Sequence, residues 1–308
     1  MRKVDVIIPY FNTPVEFARA AIASVLGQTF IDLHCVVVND GSDPRFTAQL
    51  EELLAGFRDA RITYVKTPNG GAGAARNAGI RATNSPYIAL LDSDDMWYPD
   101  RLALQIPVLD NNPAVALIHS GHRVLYANGT LMPAPAKDWL NTLSQREQLV
   151  AMLRENIVSV GTALFRRSCA EAVGLFDEVF RNIEDKDFFL RLLVAGYEFF
   201  YLNDVVTIYR QHASNKSSNV DRMIAARRCL IEKMDKTIPA RHDVRTMWPG
   251  IRRQMLRHVS QEAAEKCLER GDYWSALRHA LMPLGGHSRA TGKLVFTAAY
   301  GLVCAGRH

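Results

Sequence analysis

The sequence predicts an α/β fold: a mainly parallel central sheet flanked by helices, with a helical extension at the C-terminal end. Three observations carry this. Short apolar runs alternate with amphipathic stretches through the first 120 residues. Helix-opening or turn-forming residues separate the two kinds of segment. Acidic or glycine-rich stretches follow several of the strands, which places them on one sheet edge, where open α/β sheets bind ligands.

Residues 4–8 are an apolar strand ending at Pro9. Thr13-Pro14-Val15-Glu16 has the form of a capping box with proline at the first helical position, and a helix then runs to about Gln28 on Ala20, Ile22, Val25 and Leu26. Residues 33–38 are the second strand, broken by Asn39-Asp40-Gly41-Ser42, and a helix follows through Leu50, Leu53 and Leu54. Residues 62–65 are a third strand, after which Gly70-Gly71-Ala72-Gly73 opens a helix through Ile80. Residues 87–91 and 115–119 are the fourth and fifth strands. Residues 123–132 read as a hairpin around Asn128-Gly129. Glu184-Asp185-Lys186-Asp187 opens an apolar helix over 188–194, and two short strands, 199–202 and 205–209, close the domain. From about 220 the pattern is helical, so the expected division is 1–219 and 220–308. The segment Gly271-Asp272-Tyr273-Trp274-Ser275-Ala276-Leu277 is similar to one helix of a tetratricopeptide hairpin; a single copy reads as ordinary helical packing.

With 308 residues, 48% of them hydrophobic, the chain can build one large core or two. Cys35, Cys169, Cys229, Cys267 and Cys304 are scattered without a CxxC pair. This argues against a disulfide framework or zinc site and for a reducing compartment. Met1-Arg2-Lys3 leads straight into a strand, so no signal peptide is expected. No apolar run reaches the ~20 residues of a membrane-spanning helix; the longest, 294–305, is interrupted by Thr297 and Gly301. A cytoplasmic location is expected. Net charge is +5, but residues 221–308 hold 16 Lys+Arg against 8 Asp+Glu, a net of +8. Such a basic module suits an anionic membrane or lipid-phosphate acceptor, a nucleic acid, or a plain solvated helical surface.

The densest chemistry lies at Asp92-Ser93-Asp94-Asp95, directly after an apolar strand. Carboxylates this close repel unless a cation joins them, and oxygen ligands suit Mg²⁺ or Mn²⁺ holding substrate phosphates. The other reading is a polar loop capping the helix that starts near Pro99. Asp40 is either an acceptor for a base N–H or ribose hydroxyl, or a turn former. Gly71-Ala72-Gly73-Ala74-Ala75-Arg76 lacks the third glycine of a dinucleotide loop and follows the third strand, not the first; it suits a nucleotide phosphate or a simple turn. Glu184 and Asp185 are placed for the helix dipole or for base catalysis. His212 is a loop histidine or a metal ligand. Trp97 stacks on a ring of a ligand or packs on the sheet.

The order of these motifs is more specific than any one of them. Pro9-Tyr10-Phe11-Asn12 is followed by Asn39-Asp40-Gly41-Ser42-Asp43, then Asn69 to Asn77 with its glycines and Arg76, then Asp92-Ser93-Asp94-Asp95 with Pro99-Asp100-Arg101-Leu102. Gly174-Leu175-Phe176-Asp177-Glu178, Glu184-Asp185-Lys186-Asp187 with Leu190-Arg191-Leu192, and Tyr209-Arg210-Gln211-His212 complete the series. This series resembles the inverting family-2 glycosyltransferases of the GT-A fold over roughly residues 1–215. Residues 220–308 lie outside the resemblance.

The resemblance implies a donor site for a nucleotide-diphospho-sugar, commonly a UDP-sugar, lined by Pro9, Tyr10, Asn12, Asp40, Arg76 and Ser93. Asn39 stands where the family commonly has an acid. It implies a Mn²⁺ or Mg²⁺ held by Asp94, Asp92 and His212, with Asp92-Ser93-Asp94 as the DXD motif. It implies Asp185 as general base, with Glu184 beside it. The acceptor is then a hydroxyl of a glycan or lipid-linked molecule in cell-surface polysaccharide synthesis, reached through peripheral contact of the basic C-terminal region with the inner face of the cytoplasmic membrane. Nucleic acid is set aside as a partner. The rival classes are a nicotinamide-dependent oxidoreductase, on the alternating pattern and the glycines, and a non-catalytic nucleotide- or glycan-binding module.

Overall fold

The computed structural model describes residues 2–212, 220–238, 243–281 and 297–298. The chain divides into two compact units, Met1–Ala213 and Ser214–His308.

In the first unit, β1 (Val4–Tyr10), α1 (Val15–Leu26), β2 (Leu33–Asp40), α2 (Pro44–Phe57), β3 (Ile62–Thr67), α3 (Ala72–Arg81) and β4 (Tyr87–Leu90) alternate as the sequence predicts. Then come β5 (Met96–Trp97), α4 (Arg101–Asn111), β6 (Val115–Leu125), β7 (Leu131–Pro133), α5 (Gln145–Arg154), β8 (Leu164–Arg166), α6 (Arg167–Ala172), α7 (Glu184–Val194) and β9 (Glu198–Arg210). The sheet order is β3-β2-β1-β4-β8-β6-β9-β5, with β7 paired to β6. The first four strands are parallel. Beyond them the sheet is mixed: β8 runs antiparallel to β4 and β6, while β6 and β9 are parallel. A sheet flanked by helices is what the resemblance to the GT-A fold implies.

Every residue of β1 and β4 is buried, which is why they read as unbroken apolar runs. On one face Val6, Ile8, Cys35 and Val37 meet Ala18, Ala21, Ile22 and Val25 of α1 and Leu102 and Ile106 of α4. On the other lies α3, close enough that a Cβ at Gly79 would stand 2.7 Å from Ile7 Cγ2 and 3.0 Å from Val38 Cγ2. Glycine there sets the approach of α3 to the sheet. One charge is buried within β1: Asp5 is held by Arg167 Nη2 at 2.8 Å, Ser85 N at 2.8 Å and Ser85 Oγ at 2.7 Å, which offsets the cost of burying it.

Three local expectations change. α1 carries no capping box: Pro14 occupies the cap position without a side-chain bond, because the Thr13 hydroxyl is engaged elsewhere. The two short strands expected at 199–202 and 205–209 are one strand, β9. Its pairing with β6 jumps from Ser120↔Leu202 to Gly121↔Val205, so polar Asn203-Asp204 forms a bulge, not a break. And β2 runs on through Asp40, which therefore ends a strand instead of making a turn. The hairpin expected around Asn128-Gly129 forms between β6 and β7, with Gly129 at φ 84°.

In the second unit, α8 (Val220–Thr237), α9 (Trp248–Glu269) and α10 (Tyr273–Leu281) are described. Leu230, Ile231 and Met234 of α8, Ile251, Met255, Val259 and Ala263 of α9, and Ala276 of α10 are buried. Arg227–Glu262 and Arg252–Asp235 tie α8 to α9. The tetratricopeptide-like segment is α10. The apolar stretch 294–305 lies outside the described residues, Thr297 and Ala298 excepted, as does Cys304.

Candidate active site

Parallel register brings the C-terminal ends of β1, β2 and β4 to one edge, so Tyr10, Asp40 and the acids from Asp92 onward share it. Asn12, at φ 49°, clasps β1 to the loop after β2. Its backbone N–H donates to Ser42 Oγ at 3.1 Å, its Nδ2 to Asp43 Oδ2 at 3.1 Å, and its Oδ1 accepts from Asp43 N at 2.8 Å. Pro9 and Tyr10, expected among the nucleotide contacts, are buried. Tyr10 lies in the hydrophobic core and its hydroxyl donates to Thr13 O at 2.8 Å. What they bring to this edge is the backbone course that delivers Asn12.

Asp40 is buried and shapes the glycine segment. Its Oδ1 accepts from Gly70 N at 2.7 Å and its Oδ2 from Gly71 N at 2.8 Å. Gly71 sits at φ 88°, and a Cβ there would lie 3.0 Å from Arg181 Cδ. Asn39, where the resembled family has an acid, donates from Nδ2 to Thr47 Oγ1 and Tyr64 Oη, each at 3.0 Å.

Arg76, on α3, is the hinge of the site. It is 2% exposed. Its Nη2 donates to Asp92 Oδ1 at 2.7 Å and its Nη1 to Glu184 Oε1 at 2.6 Å. Burial opposes its charge, but Asp92, Glu184 and Asp185 outweigh that and hold its pKa above the ordinary value. One buried cation therefore joins the two acid clusters. The next residue, Asn77, clamps the 174–178 motif: its Nδ2 donates to Phe176 O at 2.9 Å and its Oδ1 accepts from Phe176 N at 2.9 Å.

The acids at 92–95 do not cap a helix; α4 starts at Arg101 with no side-chain cap. Asp94 Oδ2 lies 3.0 Å from His212 Nε2. Asp95 Oδ1 accepts from Arg210 N at 2.8 Å, and Arg210 Nε donates to Asp94 O at 3.0 Å. Burial first, then the neighbouring carboxylates, push Asp94 upward and Asp95 well up. Ser93 Oγ meets Thr13 Oγ1 at 2.7 Å, which is where the expected capping hydroxyl goes. Phe17 of α1 supports this corner, with its ring 4.3 Å below the Arg210 guanidinium and 5.6 Å from the His212 ring.

A divalent cation fits this donor set. A carboxylate and an imidazole already lie within 3.0 Å, and crowded acids whose charge is disfavoured are what a cation stabilises. Among the described residues no three acid, histidine or cysteine groups form a preformed cage.

Trp97 packs on the sheet and does not present a ring to the cleft. It is 4% exposed, and Arg101 lies 3.7 Å over its ring. Arg101 is buried and donates to Gly161 O at 2.6 Å and Ala163 O at 2.8 Å. A cation held by carbonyls thus ties the segment after the acids to the middle of the chain.

Glu184 and Asp185 fill the first turn of α7, where the helix dipole favours them. They differ in partners. Glu184 is buried against Arg76. Asp185 is half-buried and accepts from Asn156 Nδ2 at 3.1 Å. Burial and the Glu184 carboxylate push its pKa up to about 6, against the pull of Arg76. Of the residues that build this site, the sequence alone does not single out Thr13, Phe17, Asn156 or Arg210 for it. Arg210 sits inside a motif that marks its neighbourhood, but nothing near Asn156 does.

Comparisons with known proteins bear on the family and the fold. Residues 5–174 match the family model "Glycosyl transferase family 2". The succinoglycan biosynthesis protein ExoW of Rhizobium meliloti is 42% identical over 104 residues, 33% of this chain and 32% of ExoW. The chain spans about a third of the length of several curated relatives it matches. Among solved structures, S. aureus TarS 1–349 in complex with UDP-GlcNAc has a TM-score of 0.62 at 14% identity, covering 91% of this chain and 90% of that one. The mannosyltransferase PcManGT from Pyrobaculum calidifontis, in complex with GDP-Man and Mn²⁺, has a TM-score of 0.61 at 21% identity, covering 98% and 81%. With the family model matched over more than half of its residues, this chain belongs to glycosyl transferase family 2.

Proposed function

We propose that this chain transfers a sugar from a nucleotide-diphospho-sugar to a hydroxyl acceptor with inversion at the anomeric carbon. The observation that carries the reading is the division of labour across Arg76. One acid cluster, 92–95, is crowded as a cation site. The other, 184–185, keeps one carboxylate, Glu184, paired with Arg76, while Asp185 feels that guanidinium only through space and has its pKa at about 6. A base is most effective when its pKa lies near the working pH.

In this reading Asn12, Asp40, Arg76 and Ser93 border the nucleotide, with the backbone at Pro9 and Tyr10 beneath it. Asp94, Asp92 and His212 would hold Mn²⁺ or Mg²⁺. Such a metal would supply charge neutralisation for the diphosphate leaving group. Asp185 takes the acceptor hydroxyl proton as that oxygen bonds to the anomeric carbon. The bond from that carbon to the diphosphate oxygen breaks on the opposite face, so one base suffices. The solved neighbours support the donor class: UDP-GlcNAc is bound in TarS, and GDP-Man with Mn²⁺ in PcManGT. The succinoglycan relative supports an acceptor in polysaccharide synthesis.

Hydride transfer with nicotinamide finds no support. The glycine segment follows β3 and is closed by Asp40, and Arg76 is spent on acids. We also retain peripheral membrane contact through the basic second unit, on the inner face of the cytoplasmic membrane, on the strength of its charge. No helix among the described residues is long and apolar enough to cross a membrane.

The test is a panel of UDP- and GDP-sugars assayed with Mn²⁺ for nucleoside diphosphate release, with product anomers read by NMR. One donor is expected to turn over, to stop with EDTA, and to be lost in Asp94→Asn while the fold survives. Turnover that persists in both EDTA and Asp94→Asn removes the metal site from the reaction.

A further inference from the structure

A loop that no motif marks reaches the proposed base. Asn156 follows α5, yet its Nδ2 donates to Asp185 Oδ2 at 3.1 Å. The amide is oriented from its other end, where Oδ1 accepts from Val158 N at 3.3 Å. With the oxygen used there, the nitrogen faces the carboxylate. The loop itself is anchored. Ile157 and Val158 are each 1% exposed. Lys137, from a separate segment, donates from Nζ to the carbonyl oxygens of Asn156 and Ile157 at 3.4 and 3.1 Å.

The remaining surroundings of Asp185 act differently. Glu184 beside it, Asp92 at the end of β4 and Arg76 on α3 act on it through space, and the Lys186 backbone N–H donates to it. Arg76 directs Nη1 and Nη2 at Glu184 and Asp92. The Asn156 amide therefore gives the carboxylate a fixed side-chain contact from outside its own helix.

We propose that Asn156 is a positioning residue for this reaction: it holds Oδ2 of Asp185 and so turns Oδ1 toward the acceptor hydroxyl. This rests on the reading of Asp185 as the base. An amide N–H bonds the ionised carboxylate and favours it, while fixing its plane gives the alignment that proton transfer needs.

The direct test needs no substrate. The full chain is labelled with ¹³C at the aspartate carboxyls, the Asp185 signal is assigned by its loss in Asp185→Asn, and its pH midpoint is followed by NMR. Asn156→Ala is expected to move that midpoint up by about one pH unit, and Asn156→Ser to restore part of it. With UDP-GlcNAc and Mn²⁺ as probe and water as acceptor, kcat falls roughly tenfold in Asn156→Ala and the donor KM stays within about twofold. An unmoved midpoint overturns the proposal, even if Asn156→Ala melts earlier, because loop packing alone predicts that result. A moved midpoint with Asp185→Asn still at wild-type turnover sinks the base assignment and leaves the hydrogen bond standing.

Discussion

Arg76 and Glu184, 108 positions apart, meet at 2.6 Å in a buried ion pair that joins α3 to α7. The same guanidinium reaches Asp92 at 2.7 Å. In the proposed mechanism this contact favours Asp185 over Glu184 as the base, since a carboxylate held by a buried guanidinium is a poor proton acceptor. It also makes the pair a stability element. Arg76→Ala leaves Glu184 buried without its cation, at a cost of roughly 3–5 kcal/mol. Arg76→Met combined with Glu184→Met removes both charges and recovers much of that loss without recovering activity. Urea unfolding of the two variants checks this, and an unchanged midpoint for Arg76→Ala contradicts it.

The two acids then separate by phenotype. Asp185→Asn keeps shape but takes no proton, so turnover falls by roughly 10²–10⁴ while donor affinity holds. Glu184→Gln instead loosens Arg76, weakening donor binding and stability together. With Asp185 as the proposed base, which acts only when ionised, and its pKa at about 6, turnover is expected to decline as pH falls through that value. The linkage sign is the reverse for stability. A carboxyl whose folded pKa is raised binds its proton more tightly when folded, so its contribution is lost as pH rises from about 4 through 6. Asp185→Asn is therefore expected to be more stable than wild type at pH 8, by on the order of 1 kcal/mol after solvent screening. Equal or lower stability at pH 8 contradicts this.

The parallel half of the sheet was readable because β1 and β4 are buried on both faces, and a continuous apolar run of strand length is too short for a buried helix. The acids at 92–95 were readable because they terminate such a run. Thr13 misled because its local pattern is that of a cap, while its partner, Ser93, lies 80 positions away. Asn203-Asp204 read as a break because a bulge and a turn use the same residue types. Trp97 reads either way from sequence, because the Arg101 guanidinium over its ring is a product of the fold. Asn156 carries no signal in the sequence, since an asparagine in a loop is ordinary and its contact with Asp185 comes wholly from what the fold brings opposite.

Two glycines with positive φ separate backbone strain from steric clash. Gly41, at φ 64°, leads out of β2, and a Cβ there would stand 2.5 Å from Asn69 N. Gly129, at φ 84° in the β6–β7 turn, has nothing within 4 Å. Gly129→Ala should cost only the left-handed conformation, about 1 kcal/mol. Gly41→Ala must also push the backbone before Gly70 aside, adding roughly 1–3 kcal/mol and disturbing the Asp40 bonds to Gly70 and Gly71. Equal losses for the two substitutions in thermal unfolding are inconsistent with that clash.

The second unit offers a test of membrane contact. Residues 221–308 carry a net +8. On α10, Trp274 is 72% exposed, and exposed Arg278 follows one helical turn later. Tryptophan beside a cation is the combination that settles at a lipid headgroup layer. Each basic residue near an anionic surface contributes on the order of 1 kcal/mol, and salt screens it. Cosedimentation with phosphatidylserine vesicles is therefore expected at low salt and should fade as salt rises, while phosphatidylcholine vesicles retain little protein. Arg278→Glu should weaken binding mainly at low salt. Trp274→Ala should weaken it at every salt concentration, because the indole acts through apolar burial, which ionic strength does not screen. Equal retention by both lipids, or by neither, reduces the basic surface to a solvated helical face.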